Sequence, residues 1–256
     1  MNKSKKTIQG FGFEWTKWGN LRKLYRSEQE LLDEFDRYAI PLDFFNNKIV
    51  LDVGCGMGRY TYLASKKGAK EVYGIDPSES IQSAKIITFA HPQIKIIKGD
   101  VFNLPFQENT FDSIMSIGVL HHTGDAHGAI KNCVRYIKKG GRLYLMLYEP
   151  RKGFKKYLSP LLRKITLKMP PLLLYLSCYV SCMIKEPFRH IKQVITKYPP
   201  RKFNRNVADT FDWYCCPHQS FHTKEEIISL FKELGLKNVQ ITNPKYPLAI
   251  TIIGTK

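Results

Sequence analysis

The sequence predicts an α/β fold: a doubly wound, mostly parallel sheet of seven strands, with a helical insertion ahead of the last two. Three observations carry this reading. Apolar runs of strand length alternate with helix-like segments from Leu42 to Tyr148, as a parallel sheet requires. The first run, at Ile49 to Val53, breaks directly into Gly54-Cys55-Gly56-Met57-Gly58, a turn whose backbone can approach a ligand closely. A second run ends on Asp76, about 20 residues past the glycines, where a carboxylate can accept hydrogen bonds from both hydroxyls of a ribose.

The remaining elements follow in order. A helix-like segment runs from Arg59 to about Lys67, and Val72 to Ile75 is the second strand. Ile94 to Ile97 is a third strand, followed by Gly99-Asp100-Val101. Leu104-Pro105-Phe106 precedes a fourth strand, which leads into Ile117-Gly118-Val119-Leu120-His121-His122. A helix-like stretch then gives way to Tyr136-Ile137-Lys138-Lys139-Gly140-Gly141-Arg142-Leu143-Tyr144-Leu145, the fifth strand. Near the end, Thr223 is a helix N-cap with Glu225 and Glu226 in the first turn. Ile227, Leu230, Phe231 and Leu234 form that helix's apolar stripe, and Gly235 stops it. Val239 to Ile241 and Leu248 to Ile253 are the last two strands.

The glycine spacing separates nucleotide classes. It lacks the third glycine position of a dinucleotide fingerprint, occupied here by Arg59, and the G-K-[S/T] ending of a P-loop. The segment resembles motif I of the class I S-adenosylmethionine (SAM) methyltransferases, with Asp52 at the family's acidic position. The later segments, from Gly99-Asp100 through Leu104-Pro105-Phe106 and His121-His122 to Gly140-Gly141, match that family in order. The resemblance spans about Asn47 to Tyr148; its one departure is Lys139, where the family has proline. It implies a Rossmann-like methyltransferase fold and SAM as cofactor. It further implies that Asp52, Gly54, Cys55, Gly56, Gly58, Asp76 and Pro77 hold the methionine and ribose. By the same carry-over Asp100 and Val101 flank the adenine, and Ile117 and Gly118 form the floor.

Residues 1–41 form an N-terminal arm, and 42–256 form the methyltransferase domain with an insertion at 149–222. Two segments flanking the core resemble a bacterial subset of the family: Phe11-Gly12-Phe13-Glu14-Trp15-Thr16, and Asp209-Thr210-Phe211-Asp212-Trp213-Tyr214. Both read as loops above the carboxyl ends of the strands, where open α/β sheets bind ligands. Trp15 and Trp213 serve there as packing anchors or as substrate contacts.

The charge of +18 is local. From Pro150 to Arg205 there are fourteen Lys or Arg against one acid, Glu186, a surplus of 13. Leu158, Leu161, Leu162 and Ile165 share a helical face beside Arg163, Lys164 and Lys168. Phe188, Ile191, Val194, Ile195 and Tyr198 make a second face beside Arg189, Lys192 and Lys197. Between them Leu172 to Ile184 carries no charge but is shorter than the about 20 residues a bilayer span needs. The insertion fits three roles: a lid on the core, a contact with an anionic membrane surface, or an RNA-binding surface.

The six cysteines include no C-x-x-C pair and no spacing typical of a metal site, so no metal is expected. Basic residues open the chain with no apolar segment after them, which reads as no signal peptide. The expected location is cytoplasmic, with peripheral contact at the inner membrane face.

Methyl transfer to a hydroxyl needs a proton acceptor. His121, His122, His222 and Asp212 are the candidate catalytic residues, with His127 and His218 behind them. The expected activity is transfer of a methyl group from SAM to a small-molecule, lipid-linked or saccharide-linked acceptor, at oxygen. Two alternatives stand beside it. The Val119 to His122 segment also resembles enzymes that methylate a carboxymethyl group on the wobble uridine of tRNA. A SAM-binding scaffold without turnover is the third reading.

Overall fold

The computed structural model describes residues 3–151, 153, 155–196, 202–244 and 248–256, without the side chains of 155, 156 and 189–196. Its sheet has seven strands: β1 (Ile49–Val53), β2 (Glu71–Asp76), β3 (Ile94–Lys98), β4 (Phe111–Ile117), β5 (Ile137–Tyr148), β6 (Lys237–Ile241) and β7 (Ala249–Thr255). They lie in the order β3-β2-β1-β4-β5-β7-β6. All neighbours are parallel except β7, which runs antiparallel to both β5 and β6. The strand order reverses between β1 and β4, and ligands of open α/β sheets bind in the crevice at such a point.

The central strands are apolar on both faces because helices cover both. One core holds Val50, Met115 and Tyr144 under the N-terminal helices. The other holds Leu51, Ile114, Leu143 and Ile252 under α6 (Ala126–Tyr136) and α10 (Lys224–Glu233). Thr223 and Glu226 close a capping box at the start of α10, satisfying two backbone donors that the helix cannot. That helix buries Ile227 and Phe231 completely, a contribution of about 1.5–3 kcal/mol each.

The two arms depart from the loops expected of them. Residues 11–16 lie inside α1 (Lys3–Lys17), and residues 209–214 lie inside α9 (Phe203–Cys215). Within α1, Gly10 permits a close approach to α9. A Cβ at Gly10 would stand 3.3 Å from Cys215 Sγ on α9. Two further helices, α2 (Leu21–Leu24) and α3 (Glu28–Asp36), complete the arm. The arm is joined to α4 (Arg59–Lys66) by a buried polar network. Glu34 accepts from Tyr25 Oη at 3.0 Å, Tyr60 Oη at 3.2 Å and Arg205 at 2.9 Å.

The insertion forms α7 (Lys155–Thr166), α8 (Pro171–Thr196) and α9. Leu174, Cys178 and Cys182 turn inward from α8 and are buried. The opposite side is bare: Leu161, Ile165, Leu176, Val180, Ile184 and Phe188 each expose half or more of their surface. The inward side packs in the core as a lid would, and the outward residues stay clear of it. The second face expected at Ile191, Val194, Ile195 and Tyr198, with Arg189, Lys192 and Lys197, lies outside the described side chains. Arg163 is not part of a free basic rim, because its guanidinium donates to the carbonyls of Trp213 and Cys216. No helix among the described residues is long and apolar enough to cross a membrane.

Candidate active site

A cavity of about 480 Å³ opens at the carboxyl ends of β1, β2 and β4 and continues beneath α1 and α9. Its near end is built from the β1–α4 turn. Gly54, Gly56 and Gly58 all have positive φ, which only glycine adopts without strain. A Cβ on Gly54 would meet Val119 Cγ1 at 2.3 Å, so this position admits no side chain. The Gly56 N–H donates to Asp76 Oδ2 at 3.0 Å, while Ser78 donates to Oδ1 through its N–H at 2.8 Å and its hydroxyl at 2.6 Å. The carboxylate is therefore fixed in place at the end of β2 and faces the cavity. Asp100 accepts from the Phe102 N–H at 2.9 Å and lies on the same wall.

Most of the residues expected to touch the cofactor line this cavity: Gly54, Cys55, Gly56, Asp76, Pro77, Asp100, Val101, Ile117 and Gly118. Two do not. Asp52 is buried behind the glycine turn and accepts from Thr61 Oγ1 at 2.6 Å. Burial and the nearby Asp76 push its carboxyl up to about 7, with Thr61 opposing. Gly58 packs α4 against α5 (Ile81–Thr88), since a Cβ there would come 2.9 Å from Ala84 Cβ. Trp15, on α1, covers the turn, 3.3 Å from where a Cβ would stand on Gly56.

The far end of the cavity was harder to see in the sequence. Tyr148, at the end of β5, stacks on Trp213 of α9 with ring centroids 5.2 Å apart and planes 25° apart. The Arg151 guanidinium lies 3.5 Å from the centroid of the same indole, and the Trp213 N–H donates to Ser159 Oγ at 2.8 Å. Arg59, Asp209 and Arg205 line the wall beside Asp212. The Asp212 Oδ1 is sealed from solvent and has no hydrogen-bond partner. Burial, with Asp209 adding to it, raises the Asp212 carboxyl to about 7, against the pull of Arg59, Arg205 and Arg163.

The four candidate proton acceptors separate clearly. Asp212 and His122 line the cavity; His121 and His222 do not. His121 is sealed behind Tyr148, its ring centroid 3.9 Å from that ring, and both its nitrogens lack partners. Burial holds its pKa well below the ordinary imidazole range. His222 is held between Ser220 Oγ at 2.9 Å and Glu226 Oε1 at 2.8 Å. His122 Nδ1 donates to the His218 carbonyl at 2.8 Å, which leaves Nε2 with the free electron pair. Burial lowers His122 to about 4.

Residues 51–145 match the methyltransferase domain family. A demethylmenaquinone methyltransferase of Bacillus licheniformis is 30% identical over 211 residues, covering 80% of this chain and 78% of that one. The chain is a SAM-dependent methyltransferase. A tRNA U34 carboxymethyltransferase of Shewanella is 32% identical over 116 residues, 44% of this methyltransferase and 35% of that protein. Among solved structures, a SAM-dependent methyltransferase of Thermotoga maritima superposes with a TM-score of 0.55 at 16% identity, over 98% of this chain and 99% of that one. Another, from Mesorhizobium loti, gives 0.53 at 14% identity, over 87% and 96%. These likenesses are of fold. The glycine turn that excludes a Cβ at position 54 and the two carboxylates on the cavity wall fit SAM, which the methyltransferase would hold through Asp76, Asp100 and the backbone of the turn.

Proposed function

We propose that the methyltransferase modifies a small or lipid-linked acceptor at a hydroxyl oxygen, and that Asp212 receives the acceptor's proton. The observation that carries this reading is the far end of the cavity. An aromatic wall of Tyr148 and Trp213 stands beside a carboxylate oxygen with no partner in the protein. SAM bound at the near end supplies a methyl already activated by its sulfonium. What remains for the protein is to align the nucleophile, exclude water and take up one proton. Phe11 and Trp15 on α1 roof the cavity. The stacked pair gives an aromatic boundary against which a ring or unsaturated chain can pack. Asp212 at about 7 matches a proton acceptor working near neutrality better than His122 at about 4.

The relative named for demethylmenaquinone covers four-fifths of this chain, which supports a lipid-linked acceptor. The bare apolar side of α7 and α8 supports the same source, since exposed Leu, Ile and Phe beside Lys164 and Lys168 suit the interface of an anionic membrane. The likeness to the tRNA enzymes covers less than half of this chain.

The test is a product-mass screen. The protein and SAM are incubated with phenols, hydroquinones and hydroxylated lipids, alone or in vesicles. A gain of one methyl on a hydroxyl supports the proposal; methylation confined to a carboxylate or to tRNA overturns it.

A further inference from the structure

Outside the cavity, three side chains from separate elements converge. His127 lies in the first turn of α6, Glu226 in the first turn of α10, and His222 in the segment leading into α10. His127 Nε2 and His222 Nδ1 each lie 2.8 Å from the same oxygen, Glu226 Oε1. The three atoms lie within 4.8 Å of one another. None of these residues lines the cavity, and methyl transfer has no use for them.

His222 is buried and held from both sides. Ser220 Oγ lies 3.2 Å from the His121 carbonyl and 2.9 Å from His222 Nε2, and its one proton can go to either. When the carbonyl receives it, Nε2 carries the ring proton and the electron pair of Nδ1 points toward Glu226 Oε1. A metal ion held there takes that pair, the carboxylate oxygen and the pair of His127 Nε2 together.

We propose that His127 Nε2, His222 Nδ1 and Glu226 Oε1 form a zinc-binding site. Two imidazoles and one carboxylate match the preference of zinc for nitrogen and oxygen donors and leave a fourth position to water. The supporting contacts are those a metal site needs. The second nitrogen of His222 is fixed by Ser220, the contact that orients ligating histidines. The His222 backbone N–H donates to the Tyr148 carbonyl at 2.9 Å, tying it to the end of β5. Glu226 is held by the capping box, its Oε2 accepting from the Thr223 N–H at 3.3 Å. His127 is half exposed, which provides an entry path. Binding requires His127 Nε2 and His222 Nδ1 to give up the protons they share with Glu226 Oε1, each ring shifting its proton to the other nitrogen or losing it to solvent, and it forms three metal–ligand bonds without oxidation or reduction.

The experiment is calorimetric titration of the chelator-treated protein with zinc chloride. It is repeated with His127→Ala, Glu226→Gln and Ser220→Ala, with SAM binding measured in parallel to show that each variant is folded. The proposal expects one equivalent of zinc, and at least tenfold weaker binding in each ligand variant. It also expects about 10–100-fold weaker binding in Ser220→Ala. Cobalt substituted for zinc should give visible bands of a four-coordinate nitrogen and oxygen site. No binding, equal affinity in the ligand variants, or a thiolate-to-cobalt band marking one of the six cysteines overturns it.

Discussion

The backbone N–H of Gly56 donates to Oδ2 of Asp76 at 3.0 Å. The end of β2 is thereby joined to the turn after β1, and one carboxylate both shapes the glycine turn and faces the near end of the cavity. Asp76→Ala removes the turn's anchor together with an acceptor for a ribose. SAM affinity measured by calorimetry should fall at least about 10–100-fold, the worth of one or two hydrogen bonds to a charged group. Asp76→Asn, which keeps one oxygen acceptor, should lose less. Parent-like affinity in Asp76→Ala would remove this residue from the cofactor site.

Asp212 sets a pH expectation for turnover. Its carboxyl is raised to about 7 by burial and by Asp209, with Arg59, Arg205 and Arg163 opposing. It can accept a proton only when ionised, so turnover should rise with pH through about 7 and then level. Asp212→Asn should lower turnover about 10²–10⁴-fold and flatten that rise, with SAM affinity near parent. If the rise persists unchanged in the variant, another group takes the proton.

Glu14 should cost stability at neutral pH. It is fully buried on α1 and neither carboxyl oxygen has a partner. Burial, then Asp212 and Cys215, raise its carboxyl well above 4.5. The folded state thus binds this proton more tightly than the unfolded chain, and stability falls as pH rises above the unfolded carboxylate range. Glu14→Gln should raise the thermal midpoint at pH 7–8, by about 2–4 °C for each kcal/mol relieved in a chain of this size. The gain should vanish below about pH 4, where both states are protonated. A midpoint lowered at all pH values would show that the carboxyl makes a needed contact.

The bare side of α7 and α8 predicts binding to vesicles. Flotation should show the parent on anionic vesicles and much less of it on neutral ones, with binding weakened by salt. Changing Leu161, Ile165, Leu176 and Ile184 to Ser should abolish flotation while SAM affinity stays unchanged, because none of these residues lines the cavity. Flotation that survives the four changes would place the contact elsewhere. Arg163 is unsuited to this test, since its guanidinium holds the carbonyls of α9's last turn and of Cys216.

The sequence by itself determined the sheet, and the glycine turn and carboxylates that line the near end of the cavity. Strand and helix periods are local, and a glycine turn followed by Asp76 and Asp100 is readable because each residue acts close to its own strand end. What only the tertiary structure decided lies where distant segments meet. The two arms read as loops, yet both are helical, and α1 packs closely on α9 at Gly10. The choice among the proton acceptors could not come from residue type. Asp212 and His122 reach the cavity while His121 is sealed behind Tyr148 and His222 is tied to Glu226. Burial and the charges around a group set its basicity, and both depend on the packing of segments far apart in the chain.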